Sequence, residues 1–212
     1  NQEDLYLWHP QSGAYLGTLR GHRDDVSCIG GDPTNPSILF TGSNLGNIAV
    51  WNLTTHSLTK MLEAHFREIT SLQHHKTSKL LLSGSKDCSI KLWKTPDLTC
   101  IRQYDGLKSP VKTIQWKKSS SDLFATISQE GTVVFWKSGS EATIKSLKIS
   151  FSGKLHKAYI LDDHKHILYQ QKRRTTTTTK SYDETGVWNT QTAKKETTLR
   201  GTVVGVRANS IF

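Results

Sequence analysis

Residues 64–93, AHFREITSLQHHKTSKLLLSGSKDCSIKLW, contain the unit on which the rest of the sequence is built. Three short runs rich in apolar and small residues, at 69–73, 80–84 and 89–93, alternate with polar, turn-forming stretches. This order predicts three antiparallel strands joined by tight turns. A fourth strand is predicted after the closing tryptophan, at 98–104. One such sheet cannot bury both of its faces, so we expect the unit to repeat.

The repeat is visible in the tryptophans. Trp8, Trp51, Trp93 and Trp136 are separated by 43, 42 and 43 residues, and Trp188 follows after 52. Four strands in about 42 residues is the period of a β-propeller blade. The sequence therefore predicts an all-β chain of successive four-stranded blades, with each of these tryptophans buried near the end of its third strand.

The period also predicts how the chain is divided. A single partial propeller is expected, made of a blade end, three regular blades, an irregular blade and the start of another, at 1–20, 21–62, 63–104, 105–149, 150–200 and 201–212. An insertion is placed at 172–180, KRRTTTTTK, between a strand ending near Gln171 and one beginning no earlier than about Asp183. This stretch has no apolar residue, so we expect it to be mobile, or to mark a place where sequence is omitted.

Residue pairs in the first two full units resemble those of the WD-repeat family: Gly21-His22 with Val50-Trp51, and Ala64-His65 with Leu92-Trp93. In that family a buried histidine, a serine or threonine, an aspartate and the tryptophan form a hydrogen-bonded cluster. The members that the resemblance implies here are His22, Thr41, Trp51, His65, Ser83, Asp87, Trp93, Thr126 and Trp136. Three positions depart from the pattern, because Leu45 and Glu130 replace the aspartate and Leu107 replaces the histidine. Since the repeat accounts for these residues, we predict a structural role for them rather than catalysis.

The resemblance also suggests that the sequence is incomplete. Propellers of this family most often have seven blades, which need about 290 residues at this period. The chain has 212 residues and accounts for about four complete blades. We therefore expect a fragment of a seven-bladed ring, with a gap or a covering chain at its open edge. A natural five-bladed ring is the alternative.

Charge and cysteine content restrict the class of partner and the compartment. The net charge is +10, from 28 Lys and Arg against 18 Asp and Glu, and it is dispersed along the chain. Such a surface favours acidic partners, whether proteins or nucleic acid. Three cysteines without CxxC spacing favour reduced thiols and an intracellular location, in the cytoplasm or nucleus. No apolar run approaches the roughly 18 residues that cross a membrane, so no membrane partner is expected.

Enzymatic chemistry finds no support in the sequence. The run 162–166, DDHKH, contains metal-ligand types, but consecutive residues on a turn point in different directions. No nucleophile and base can be paired without assuming their geometry, and no phosphate-binding glycine motif occurs. We expect no enzyme activity, no metal and no cofactor.

The remaining function is binding through the loops at the propeller rim. By resemblance, the partner-binding residues are Arg23, Asp25, Asn44, Phe66, Arg67, Glu68, Lys86, Lys108 and Gln129. Phe66 is the most informative of them, because an aromatic residue beside an arginine is typical of an interface hot spot. The sequence thus predicts a non-catalytic protein-interaction scaffold in an intracellular multiprotein complex. The alternatives are a nucleic-acid-contacting subunit of a ribonucleoprotein or chromatin complex, and a substrate receptor or activator in ubiquitin chemistry.

Overall fold

The computed structural model describes residues 4–95, 97–117, 120, 122–140, 142–149, 154–161, 165–174, 181–200, 206–207 and 210–211. Every regular element among them is a β-strand, so the prediction of an all-β chain is confirmed. The chain divides into two compact units, Asn1–Val111 and Lys112–Phe212. Within every sheet, neighbouring strands follow one another along the chain and pair antiparallel, as a meander requires.

The first unit contains a two-stranded ribbon followed by two four-stranded sheets. The strands are β1 (Leu5–Trp8), β2 (Tyr15–Leu19), β3 (Val26–Gly31), β4 (Ile38–Ser43), β5 (Asn47–Asn52), β6 (Ser57–Glu63), β7 (Ile69–His74), β8 (Leu80–Ser85), β9 (Ile90–Lys94) and β10 (Thr99–Tyr104).

The second unit begins within β11 and contains two further four-stranded sheets and a short pair of strands. The strands are β11 (Val111–Trp116), β12 (Leu123–Ser128), β13 (Thr132–Lys137), β14 (Thr143–Lys148), β15 (Lys154–Ile160), β16 (His166–Arg174), β17 (Ser181–Asn189), β18 (Lys194–Arg200), β19 (Val206–Arg207) and β20 (Ser210–Ile211).

The turns repeat with the sheets. Gly46, Cys88 and Gly131 occupy the turn between second and third strands and have φ of +91°, +69° and +80°. His56 and Leu98 occupy the turn between third and fourth strands, with φ of +51° and +50°. A left-handed residue at each of these places lets the chain reverse within a few residues. Where a side chain takes that conformation, it carries a cost of about 1–2 kcal/mol.

The central strands are buried on both faces, which explains why the unit must repeat. Successive side chains of a strand point to opposite faces. In β5, Ile48 and Val50 pack toward the β7–β10 sheet with Ile69 and Leu81, while Ala49 and Trp51 pack with Leu19 of the preceding ribbon. A second core in the other unit joins the β11–β14 and β15–β18 sheets. The β3–β6 sheet therefore contributes one face to each of two cores.

The burial predicted for the tryptophans holds for four of the five. Trp51, Trp93, Trp136 and Trp188 are buried, but Trp8 is 59% exposed and the prediction is wrong there. The alternation in β1 explains the difference, because Leu5 and Leu7 pack against the β3–β6 sheet and Trp8 points to the other face of the ribbon. That face is exposed, and the Trp8 ring rests edge-on against Tyr15 at 5.3 Å.

The strands at the predicted insertion are longer than the sequence suggests. β16 continues to Arg174 and β17 begins at Ser181, so the predicted strand ends at 171 and 183 are wrong. The register pairs Lys172 with Asp183 and Arg174 with Ser181. Backbone pairing in an antiparallel hairpin does not require apolar side chains, and a composition-based argument therefore stops the strands too early. The remainder of the predicted insertion, 175–180, lies outside the described residues.

Hydroxyl side chains connect successive sheets in the first unit. Ser27 Oγ donates to Ile69 O at 2.6 Å and lies 3.0 Å from Gly42 O. Thr70 Oγ1 repeats the arrangement, 2.8 Å from Val111 O and 3.0 Å from Gly84 O. The first strand of one sheet is thereby bonded to the first strand of the next.

Candidate functional site

A chain of hydrogen bonds runs through the β7–β10 sheet beneath its loops. Trp93 Nε1 donates to Ser83 Oγ at 2.8 Å, and Ser83 Oγ lies 2.7 Å from His65 Nε2. His65 Nδ1 lies 3.0 Å from both Asp87 Oδ2 and Ser89 Oγ. The ionised Asp87 carboxylate can only accept, so the histidine proton sits on Nδ1, and the unprotonated Nε2 accepts from the serine hydroxyl. The structure thus brings the four predicted residues of this repeat into one network.

Burial and hydrogen bonding together set the ionisation of this network. Burial lowers the pKa of His65 below 6.5, and the Asp87 carboxylate offsets only part of the effect. Burial also opposes ionisation of Asp87, but hydrogen bonds from the Ser89 hydroxyl and amide outweigh it and hold the pKa of Asp87 below 3.8. At neutral pH a neutral imidazole therefore donates to a carboxylate.

Asp87 also fixes the two loops above the network. Its Oδ1 accepts from the Ser89 hydroxyl at 2.7 Å and from the Ser89 amide at 2.9 Å. Its Oδ2 accepts from the amide of Phe66 at 3.1 Å. One carboxylate therefore couples a buried histidine to the backbone of two exposed loops.

Replacing Asp87 by alanine is expected to lower the free energy of unfolding by about 2 kcal/mol, because buried donors lose their acceptor. The measurement is urea unfolding, read as a shift in midpoint at constant slope. The matched control is Asp105→Ala, since Asp105 is exposed and, among the described residues, accepts side-chain hydrogen bonds only from the exposed Gln103, at 2.9 and 3.0 Å. We expect less than about 0.5 kcal/mol there. Equal midpoints for the two variants would contradict the role given to Asp87.

The β3–β6 sheet contains the same network with one acceptor missing. Trp51 Nε1 donates to Thr41 Oγ1 at 2.8 Å, and His22 Nε2 lies 2.5 Å from the same oxygen. Leu45 stands where the other sheet has its aspartate, and His22 Nδ1 is buried with no hydrogen-bond partner among the described residues. Asp24, on the facing loop, joins the two loops as Asp87 does in the other sheet, because its carboxylate accepts from the Leu45 amide at 2.6 Å.

The later sheets depart further from the pattern. Trp136 Nε1 donates to Thr126 Oγ1 at 2.9 Å, so the indole–hydroxyl bond is kept. In the β15–β18 sheet, Tyr169 occupies the place of the threonine and lies opposite Gly186. Within the described part of the chain, Trp188 Nε1 finds no hydrogen-bond partner. The described residues of this sheet therefore do not make the bond that Trp51, Trp93 and Trp136 make.

Four loops of the first unit form a continuous edge, which we call the rim: 20–25, 44–46, 64–68 and 86–89. Backbone hydrogen bonds join each loop to the next. The Asn44 amide donates to Asp25 O at 2.9 Å, the His65 amide to Gly46 O at 3.0 Å, and the Lys86 amide to Glu68 O at 2.9 Å. The rim is therefore one bonded row of loops.

The structure places seven of the nine predicted partner-binding residues on the rim: Arg23, Asp25, Asn44, Phe66, Arg67, Glu68 and Lys86. Lys108 is exposed on the loop after β10, and Gln129 is exposed on the β12–β13 turn of the second unit. Glu68 and Lys86 form an ion pair with each other. The most exposed large apolar side chains on the rim are those of Phe66, at 94%, and Leu45, at 67%.

Three residues of this region have roles that the sequence did not predict. Asp24 bonds the Leu45 turn, Ser89 bonds both Asp87 and His65, and Leu45 adds an exposed apolar side chain. Ser89 precedes the third strand just as Asn47 opens β5, but the two residue types differ and the repeat did not reveal it. Leu45 was visible only as a departure from the pattern.

Among the described residues, no three His, Cys, Asp or Glu side chains are grouped to hold a metal ion. Burial raises the pKa of the Cys28 thiol to about 12, which makes it a poor nucleophile. The described part of the chain has no helix whose length and apolarity suit it to span a bilayer.

Comparison with known proteins identifies WD repeats in the first unit. The model of the WD domain, G-beta repeat, matches residues 13–52 and 56–94. The nuclear distribution protein nudF of Aspergillus niger is 28% identical over 137 residues, which is 63% of this chain and 30% of nudF. The pre-rRNA-processing protein IPI3 of Meyerozyma guilliermondii is 27% identical over 59% of this chain and 28% of its own length.

Two further matches extend the comparison. Pre-mRNA-processing factor 19 of Mus musculus is 27% identical over 37% of this chain and 16% of its own length. The crystal structure of the mitotic checkpoint complex contains a chain that superposes with a TM-score of 0.76 at 18% identity, covering 95% of this chain and 60% of that one. The chain thus spans less than a third of the length of these curated relatives; it contains WD repeats at 13–52 and 56–94, and its four-stranded sheets have the form of β-propeller blades.

Proposed function

We propose that this chain is a non-catalytic interaction platform in an intracellular multiprotein assembly, and that it binds a partner protein through the rim with Phe66 as the anchor. The observation that carries the proposal is an aromatic ring 94% exposed on a loop with a fixed backbone. The Phe66 amide is bonded to Asp87, and the neighbouring Arg67 carbonyl accepts from Ser85 Oγ at 2.9 Å. These bonds hold the loop backbone while the Phe66 ring remains exposed to solvent.

The energetics favour binding at such a place. Burying a phenylalanine side chain stabilises a complex by about 2–3 kcal/mol. A loop already fixed by hydrogen bonds does not have to be ordered on association, so more of this energy is kept as affinity. Leu45 lies on the adjacent turn and extends the apolar surface. Aromatic anchors surrounded by less critical contacts are the usual composition of interface hot spots.

The charges on the rim favour a partner segment that carries carboxylates. Arg23 and Arg67 are exposed, whereas the Lys86 ammonium is already paired with Glu68. The net charge of +10 acts in the same direction. The names of the relatives point to assemblies, since two of them are processing factors for pre-rRNA and pre-mRNA and the solved structure is a complex.

The test places a photo-crosslinking amino acid, p-benzoylphenylalanine, at position 66 of the tagged chain expressed in cells. We expect a crosslink to a distinct protein, lost when Arg67→Glu is added. The matched control carries the same amino acid at Ile101, which is exposed on β10 away from the rim. Phe66→Ala should reduce recovery of that protein at least tenfold, while Ile101→Ala should leave it unchanged. A partner that crosslinks equally from both positions would overturn the proposal.

Nucleic-acid binding is the second candidate, favoured by the charge and by the two RNA-processing relatives. Salt separates the two functions. Binding to a polyanion weakens by several orders of magnitude between about 50 and 200 mM salt when six or more phosphates are contacted. Docking of a protein segment around Phe66 should weaken much less. A steep salt dependence that is unchanged in Phe66→Ala would favour nucleic acid.

A further inference from the structure

Leu45 stands at a position of the β3–β6 sheet where the β7–β10 sheet has an aspartate. In the β7–β10 sheet that aspartate, Asp87, lies with its Oδ2 3.0 Å from Nδ1 of the buried His65. In the β3–β6 sheet the matching nitrogen, His22 Nδ1, is buried and has no hydrogen-bond partner among the described residues. A buried polar atom without a partner destabilises the folded state. The leucine side chain has no polar atom with which to relieve it.

The Leu45 side chain does not serve the core either. It is 67% exposed, and among large apolar side chains of the described residues only Phe66, at 94%, is more exposed. The backbone places the two next to each other. The His65 amide donates to Gly46 O at 3.0 Å, and Leu45 and Phe66 are the residues that flank this bonded pair. The rim therefore presents two large apolar side chains at neighbouring positions.

Both of these residues are fixed through their backbone. Asp24 Oδ2 accepts from the Leu45 amide at 2.6 Å, and Asp87 Oδ2 accepts from the Phe66 amide at 3.1 Å. Loops that are already fixed do not have to be ordered when a partner covers them, so more of the burial energy is kept as affinity. The pair is therefore a preformed apolar contact surface.

Exposed arginines border the pair. Arg67 follows Phe66 in the chain, and Arg23 lies on the loop that faces Leu45. Among the described residues, neither guanidinium has a hydrogen bond or an ion pair. The acids of the same loops do have partners within the chain, including the ion pair of Glu68 described above. The unpaired guanidinium groups favour carboxylates on either side of whatever covers the pair.

A departure from a stabilising pattern is expected where function requires it. We propose that Leu45 is a partner-contacting residue, at which an apolar contact with the partner takes the place of a buried hydrogen bond. The partner segment is extended, with two large apolar residues in alternation and acids on both sides. Alternate side chains of an extended segment share one face, so two of them cover Leu45 and Phe66 together. Leu45 thereby adds a second anchor to the rim, an assignment that rests on the proposed function.

The folding half of this assignment is tested by Leu45→Asn. An asparagine side chain offers a donor and an acceptor, so it suits His22 Nδ1 in either tautomer, and it adds no charge beside Asp24. We expect the urea midpoint of unfolding to rise by about 0.5 M. The control, Leu45→Ala, supplies no polar atom and should stay within about 0.2 M of the original chain. A midpoint for Leu45→Asn no higher than that for Leu45→Ala would overturn the proposal.

The binding half uses a fluorescein-labelled nonapeptide, Gly-Glu-Asp-Leu-Ser-Trp-Asp-Glu-Gly, and fluorescence anisotropy with the full chain. We expect saturable binding that Leu45→Asn, Leu45→Ala and Phe66→Ala each weaken about fivefold or more. Leu45→Met conserves volume and should bind within about twofold of the original chain. The matched control, Ile101→Ala, removes an exposed apolar side chain from β10, away from the rim, and should also leave binding unchanged.

The variants distinguish failure of this assignment from failure of the proposed function. If Phe66→Ala weakens binding and Leu45→Ala does not, Leu45 is not a contact residue, and the rim keeps its proposed function with one anchor. If neither variant weakens binding, the peptide does not occupy the rim and the assignment is overturned. Absence of binding, or equal binding of a peptide with glycine for its leucine and tryptophan, or with amides for its acids, would also overturn it. In those cases the crosslink from position 66 still decides the function of the rim.

Discussion

Gly46→Ala is expected to destabilise the chain by more than about 4 kcal/mol, an unusually large loss for a single methyl group. A Cβ at this position would lie 2.1 Å from the backbone carbonyl oxygen of His65, and φ is +91°. Backbone atoms cannot move aside as the end of a side chain can. The loop that carries Phe66 would have to shift, so binding at the rim should be lost together with stability.

The control for this prediction is Gly106→Ala. Gly106 has φ of +95°, but a Cβ there would meet nothing within 4 Å. Both variants therefore lose about 1–2 kcal/mol of stability because alanine disfavours the left-handed conformation. Only Gly46→Ala loses more, through the clash with the His65 carbonyl. Urea unfolding of the two variants measures the difference directly. If both lose the same stability, the close approach of the turn to His65 is not a feature of the folded protein.

Gly186→Val is expected to cost about 3 kcal/mol or more by overpacking. A Cβ at Gly186 would lie 2.5 Å from Cζ of Tyr169, whose ring is fully buried. In the β11–β14 sheet the corresponding pair is Thr126 opposite Val134. The tyrosine and the glycine therefore have to be exchanged together.

A double-mutant cycle tests this coupling. Tyr169→Thr alone should cost about 3–5 kcal/mol because it leaves a cavity. Combined with Gly186→Val, it recreates the threonine–valine pair and gives Trp188 Nε1 an acceptor. The double variant should then be more stable than the sum of the single effects predicts, by about 2 kcal/mol. Additive effects within about 0.5 kcal/mol would show that the two residues do not depend on each other.

Much of the fold could be predicted from the sequence because its unit repeats. The spacing of Trp51, Trp93 and Trp136 located the third strand of three sheets, and the turn residues located its neighbours. Periodicity gives the strand positions that the sheets share, however, and does not predict burial in a sheet whose neighbours differ. Trp8 has the right spacing and is exposed, because burial depends on what covers that face of the ribbon.

The candidate site was predictable only where the pattern is complete. His65, Ser83, Asp87 and Trp93 follow the family spacing, and the structure bonds them to one another. Departures from the pattern gave no indication of their consequence. That His22 Nδ1, near the Leu45 turn, has no hydrogen-bond partner among the described residues depends on distances between separate loops, which spacing alone does not contain.

The hydroxyl bonds of Ser27 and Thr70 bear on how the protein unfolds locally. Each joins the first strand of one sheet to the first strand of the next, so a sheet cannot separate without breaking the hydrogen bond to its neighbour. Repeat proteins with such nearest-neighbour coupling unfold as linked units in a one-dimensional array. Local fluctuations should therefore involve pairs of sheets, with amide exchange protected to a similar degree on both sides of each bond. A partner bound to one rim loop would then slow amide hydrogen exchange in that sheet and in the sheet bonded to it.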